Sequence, residues 1–300
     1  MIYAAVYQLA AVYAAFVLVG TLPNIAIVVA TISDQQLRSP CNFLIALCCF
    51  FDAFHIFGHT PSIVNLLNGS VIPLSTCYKI QISTIIGVTG GTFCVLSIGF
   101  DRLVACLLYK WYLNSRKGLY ILIHVLLIAS FSGYIVCLSY WDLGTGEDVI
   151  CFLPQPVRGR ANEWWTNSSL VIYALSLVVY GVVALLIYKH GGSGTQKAIF
   201  RSLSIVLLCI IGSWILTVGF IFISTRYYGS DPDKMLVCQM IAESSATAVL
   251  MGRVCHSNGE CSVKPLLKGL ALVAVGVGIG YFASRYYQGC AAKKGADKKE

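Results

Sequence analysis

The chain has 300 residues, 57% of them apolar and only 11% charged, and its 21 basic and 13 acidic side chains give a formal net charge of +8. Soluble domains run about 45–50% apolar and about 25% charged, so this composition excludes a water-soluble globular protein, and a mean hydropathy of +0.76 excludes it again. No basic stretch is interleaved with aromatics as in a nucleic-acid module; the lipid bilayer is the partner that the composition asks for.

Read from the N-terminus, residues 1–33 carry no charge, and Asp34 is the first. Met1–Ile32 has no basic leader and exceeds the ~7–15 residues of a signal-peptide core. It reads as a first membrane span over 3–32. A second span covers 40–66, interrupted only by Asp52. Others cover 77–108, 118–141, 164–188 and 198–225. The charge-free runs 53–78, 80–100, 118–141, 164–188 and 202–225 each exceed the ~20 residues that a helix needs to cross hydrocarbon. They are apolar on every face, without the alternation of a membrane barrel. The expected fold is therefore all-α: a polytopic membrane protein built as a seven-transmembrane helix bundle, or eight spans if both 235–254 and 265–287 cross.

Loop charge sets the orientation. With the N-terminus outside, the inner loops hold Arg38, then Lys110, Arg116 and Lys117, then Lys189, Lys197 and Arg201, with Asp34 as their acid. The outer loops hold Asp142, Glu147, Asp148, Glu163, Asp231 and Asp233 against Arg158, Arg160, Arg226 and Lys234. Basic residues stay in the cytoplasm, so a multi-pass plasma-membrane protein with its N-terminus outside is expected. The glycosylation sequons at Asn68 and Asn167 then fall outside.

Polar groups inside spans are costly and concentrate at functional positions. Asn24 stands in the first span within Thr21-Leu22-Pro23-Asn24. Asn42 precedes Asp52 in the second. Cys77 opens the third, which closes on Asp101-Arg102-Leu103. This set resembles the rhodopsin-like G-protein-coupled receptors, whose first-helix Asn, second-helix Asn and Asp, third-helix Cys-to-Arg spacing and Asp-Arg-Tyr motif have these counterparts. Within that class the chain is most similar to the nematode serpentine chemoreceptors of the Srsx group, over roughly 8–247.

The resemblance implies a receptor domain over 1–247 that passes the binding of an external small molecule to a heterotrimeric G protein. It implies a switch at Asp101 and Arg102, the arginine paired to its acid at rest and turned toward the G protein when active. It implies a disulfide between Cys77 and Cys151. It implies a sodium-holding position at Asp52 with Asn24; a protonated Asp52 bonded to Asn24 is the competing reading. Trp214 matches the sixth-helix tryptophan, and Tyr180 and Tyr188 are the candidates for an inward-facing tyrosine on the fifth helix.

Some residues depart from the family. Ser213 precedes Trp214, and Leu216 stands where the family has proline. The chain contains no Asn-Pro, which the family carries in its seventh helix. Met235–Arg253 begins like that helix and then diverges. Residues 248–300 are therefore expected to form an atypical segment with the last span at about 265–287 and a basic tail. Cys255 and Cys261 are candidates for a second external disulfide. His55 and His59, four apart, suit two metal ligands on one helix face, but no third ligand is evident, and lining a ligand cavity is the preferred reading. Gly276, Gly280 and Ser284 read as a helix-packing face. No serine elbow, HExxH pair or phosphate loop occurs, so neither an enzyme nor a metal or other cofactor is expected. A transporter is an alternative without internal repeats to support it; a non-signalling receptor relic or a mis-joined gene model is another, supported by the missing Asn-Pro.

Overall fold

The computed structural model describes residues 2–144, 146–149 and 151–189. The order of elements is α1 (Ile2–Ser33), α2 (Pro40–Phe57), α3 (Thr60–Asn68), β1 (Ile72–Pro73), α4 (Leu74–Leu107), α5 (Tyr109–Asn114), α6 (Lys117–Trp141), β2 (Asp148–Val149) and α7 (Gly159–Lys189). Among the described residues, Pro40–Asn65, Leu74–Leu107, Lys117–Trp141 and Gly159–Lys189 are long and apolar enough to cross a bilayer, and α1 adds the apolar helix Gly20–Ser33. The protein is thus a multi-pass helical membrane protein. Everything below lies in the compact unit Val17–Leu207; Met1–Phe16 and Leu208–Glu300 form a second unit, of which the start of α1 is described. The expected spans 198–225, 235–254 and 265–287, with Trp214, Cys255, Cys261 and the Gly276–Ser284 face, lie outside the described residues.

The second span begins as its sequence dictates. Ser39 caps α2, its hydroxyl accepting from the Asn42 N–H at 3.2 Å, and Pro40 occupies the first turn, where a missing N–H costs nothing. The span expected over 40–66 is present as Pro40–Asn65, with a break at Gly58 and His59 that parts it into α2 and α3. Pro61 is the physical reason: it has no N–H to bond the carbonyl four residues back, and its ring crowds that turn.

The 34-residue helix α4 is the centre of the bundle, packed against α2, α6 and α7. Its buried face is rich in small residues, among them Gly87, Thr89, Gly90, Gly91, Thr92, Ser97 and Gly99. At Gly87 the fit is backbone to backbone: a Cβ there would stand 2.7 Å from the His55 N and 2.8 Å from the Phe51 O. By contrast α6 buries a narrow stripe of Ile128, Ser132, Ile135, Leu138 and Ser139. Its other faces are apolar because, in a bilayer, lipid replaces protein as the apolar neighbour.

The connection after α6 folds back over one end of the bundle. β2 pairs antiparallel with β1, Ile72 opposite Val149 and Pro73 opposite Asp148. Phe152, Leu153 and Val157 are buried, the latter two packing with Tyr78, Ile85, Ile135 and Leu138. The helix expected from 164 starts at Gly159. Its opening turn is held by Asp142, which accepts from the Ala161 N–H at 3.0 Å and from the Arg160 guanidinium at 2.9 Å. A carboxylate at a helix N-terminus satisfies an orphan N–H and meets the positive end of the helix dipole.

Candidate functional site

Two ends of α4 carry the polar machinery. At the first, Cys77 is bonded to Cys151, with Cα atoms 5.1 Å apart. Cys151 has a left-handed backbone (φ 65°), a strained conformation for a residue with a side chain. Several bonds hold it: the disulfide, and its carbonyl, which accepts from the Ser62 hydroxyl at 2.8 Å and from Gln81 Nε2 at 3.4 Å. The loop is thereby fastened to α3 and α4 together. Close by, Glu147 pairs with Arg158. The hydrogen bonds from Arg160, and then from the Ala161 N–H, hold the Asp142 carboxyl below the usual carboxylate range.

At the opposite end, Asp101 is 0% exposed. The guanidinium of Arg102, its neighbour in sequence, donates to Asp101 Oδ2 from Nε at 2.9 Å and from Nη2 at 2.5 Å. The other carboxylate oxygen accepts from the Tyr112 hydroxyl at 3.0 Å. Tyr112 comes from α5, the short helix after α4, and its ring meets Tyr120 of α6 edge to face, 5.9 Å between centroids and 86° between planes. Partial burial, and then the Asp101 carboxylate, push the Tyr112 phenol above its ordinary range. It therefore stays protonated and donates. Cys41, in the first turn of α2, lies beside the same pair. A buried carboxylate needs such donors, because leaving it unpaired would cost several kcal/mol.

Tyr180 of α7 reaches this end of α4. Its ring packs where a side chain on Gly99 would stand, within 2.7 Å of that Cβ position. Tyr188, the other candidate for the inward-facing tyrosine of the switch, is 87% exposed. Of the two candidate tyrosines, Tyr180 is the one that packs on α4. Midway along, the Tyr173 hydroxyl meets that of Thr92 at 3.3 Å, linking α7 to α4.

Asn24 is buried, and its amide donates to the Gly20 carbonyl of its own helix at 3.0 Å. Asp52 is buried in α2, with Oδ1 3.2 Å from where a Cβ on Gly91 would stand. Asn68 is exposed at the end of α3, and Asn167 is exposed on α7. His55 and His59 face each other at 5.5 Å between ring centroids. Among the described residues no three His, Cys, Asp or Glu side chains gather as a metal site.

The sequence model of a family described as serpentine type 7TM GPCR chemoreceptor Srsx matches residues 17–252. The chain belongs to this family. As an Srsx chemoreceptor it is a seven-transmembrane receptor, of which the described residues supply α1 to α7 with the disulfide and the Asp101–Arg102 pair; the match stops short of the last residues of the chain. No curated protein matches it significantly. Tyr112 was not legible from the motifs, because no spacing rule ties a loop tyrosine to a helix-end carboxylate. Gln81 and Thr84, buried on α4, carried no motif either.

Proposed function

We propose that this chemoreceptor binds an external small molecule among the helix halves on the disulfide side, and passes the signal to a heterotrimeric G protein at the Asp101–Arg102 end. In this reading the disulfide side and the N-terminus face outward at the plasma membrane. Asn68 and Asn167 are glycosylation positions, and Asn24 and Asp52 form a polar centre for a sodium ion. The protein is a transducer and not an enzyme. Residues 1–247 form the receptor bundle, and 248–300 supply a last span at about 265–287 with a basic inner tail; a tag placed after Glu300 should stain only in permeabilised cells, and staining of intact cells would refute that topology.

The observation that carries the reading is the closed Asp101–Arg102–Tyr112 network. It holds a guanidinium, 27% exposed, by two hydrogen bonds to a buried acid. Ligand would favour a pre-existing arrangement in which Arg102 leaves Asp101 and becomes available to the G protein. The test is nucleotide exchange on co-expressed G protein across an odorant panel, with the chain verified at the surface. Arg102→Ala should abolish coupling and leave surface expression largely intact, because the side chain ends at the rim of the bundle. Coupling unchanged in that variant would sink the switch assignment. Silence of the wild-type chain across the panel would favour the non-signalling relic.

A further inference from the structure

The break between α2 and α3 gathers polar groups around Gly58 that the fold itself does not use up. Gln81 Nε2 donates to the Gly58 carbonyl at 3.0 Å and to the Cys151 carbonyl at 3.4 Å. The Thr84 side chain occupies the space where a side chain on Gly58 would be. His59 follows Gly58 directly and packs on His55. Gln81 and Thr84 are both 0% exposed. Yet Gln81 Oε1 and Thr84 Oγ1 have no hydrogen-bond partner among the described residues. The amide cannot be turned to change this, because a flipped Gln81 would aim its oxygen at two carbonyl oxygens. Its nitrogen is fixed, so its acceptor is left over.

Buried polar atoms are almost always paired, by protein, water or ligand. Here a free acceptor and a hydroxyl that can donate or accept sit at successive turns of one face of α4. Their natural complement is a group with both a donor and an acceptor. Among the described residues no charged side chain stands beside Gln81 and Thr84 to answer an ion. Lys79 is exposed, and Asp52 lies about two helical turns deeper in α2. A ligand ammonium or carboxylate would be buried here without a counterion.

We propose that the cluster around Gly58 is a recognition subsite for an uncharged molecule bearing a hydroxyl or primary amide, held by Gln81 Oε1 and Thr84 Oγ1. The proposal rests on the receptor reading for its biological meaning, and its test does not need a G protein.

The experiment uses the full chain in lipid nanodiscs and reads the thermal midpoint against ligand concentration. The probes share one skeleton: 2-phenylethanol, phenylacetamide, ethylbenzene, 2-phenylethylamine and phenylacetate. The alcohol and the amide should stabilise the protein saturably, at concentrations about tenfold below those at which ethylbenzene acts, the margin of one or two hydrogen bonds. The amine and the acid should be no better than ethylbenzene. Thr84→Val, which keeps the shape of the side chain, should erase most of the alcohol's advantage, and Thr84→Ser should restore it. A response to the charged probes equal to that of the alcohol overturns the proposal. So does an alcohol preference that survives Thr84→Val, or the absence of any saturable response, which would make the cluster a site for structural water only. Failure here leaves the Arg102→Ala coupling test standing, and failure of coupling leaves this binding test standing.

Discussion

Replacing Tyr112 by Phe removes one hydrogen bond from the Asp101 network and leaves the ring in place. The Tyr112 hydroxyl donates to Oδ1 at 3.0 Å, while both Arg102 bonds go to Oδ2. The edge-to-face contact with Tyr120 does not involve the hydroxyl and should persist. A hydrogen bond to a charged partner is worth about 1.5–3 kcal/mol. Tyr112 is only half-buried, so the lower end, about 1.5 kcal/mol, applies. If the network is closed at rest and open in the active state, that loss falls on the resting state alone. The ratio of active to resting receptor should then rise about tenfold, since 1.4 kcal/mol is a factor of ten. The assay is ligand-independent nucleotide exchange on G protein in membranes with matched receptor density. Basal exchange should rise several-fold in the phenylalanine variant, up to the limit set by saturation, and Tyr112→Ala should add the loss of the Tyr120 contact. Basal exchange that is unchanged or lower in Tyr112→Phe would refute the reasoning, because it would mean that Tyr112 does not hold the resting state.

Other expectations follow from contacts elsewhere in the bundle. Gly87→Ala should destabilise the protein by roughly 1–3 kcal/mol, seen as a lower thermal midpoint, because the added Cβ meets backbone atoms of His55 and Phe51 that cannot swing aside; an unchanged midpoint would show that α2 yields. Cys77→Ser and Cys151→Ser should each lower surface expression, with the double variant no worse than either, as expected for one bond worth about 2–4 kcal/mol; additive losses would mean independent roles. Asp142 has its carboxyl pKa lowered in the folded state, so the stability it adds is present above the ordinary carboxylate range and disappears as the pH falls through the lower folded value. The gap in thermal midpoint between the native chain and Asp142→Asn should therefore close only below the usual carboxylate range, and a gap that closes near neutrality would contradict the Arg160 and Ala161 contacts.

Membrane spans are legible because burying a charge in lipid is so costly that charge-free runs outline them. Their ends are less legible, since helices project beyond the hydrocarbon. The helix α7 begins at Gly159, with Arg160 and the exposed Glu163 in its first turns, where water still solvates charge. The kink at Gly58 was readable in principle from Gly58 followed by Pro61, but hydropathy alone does not register it. Tyr180 against Tyr188 was a question of helical phase. The buried stripe of α7 runs through Ser169, Tyr173, Ser176, Tyr180 and Val183 at spacings of three and four. Tyr188 is eight residues past Tyr180, about 80° around the helix from it at about 100° per residue and off that stripe. The small polar residues Ser169 and Ser176 marked the inner face, because a lipid-facing position would not favour a hydroxyl.

The two ends of α4 are separated by a single helix with unequal walls. From Thr84 to Asp101 the helix rises about 25 Å. Along α2 the wall is close: Gly87 admits backbone atoms of α2, and Gly90 admits the Phe51 ring within 2.9 Å of its Cβ position. Close-packed surfaces of this kind do not deform gradually. Along α7 the contact is made by side chains, with the Thr92 and Tyr173 hydroxyls in the middle and the Tyr180 ring over Gly99 near Asp101. Side chains can change rotamer where backbones cannot interpenetrate. A rearrangement that frees Arg102 therefore has more room on the α7 side than on the α2 side. Gly87→Ala and Tyr112→Phe probe these two parts separately: the first should lower stability without raising basal activity, and the second should raise basal activity. That contrast is what a fixed α2–α4 wall beside a releasable Asp101 network requires, because a coupling path needs an element with two arrangements and not merely a continuous chain of contacts.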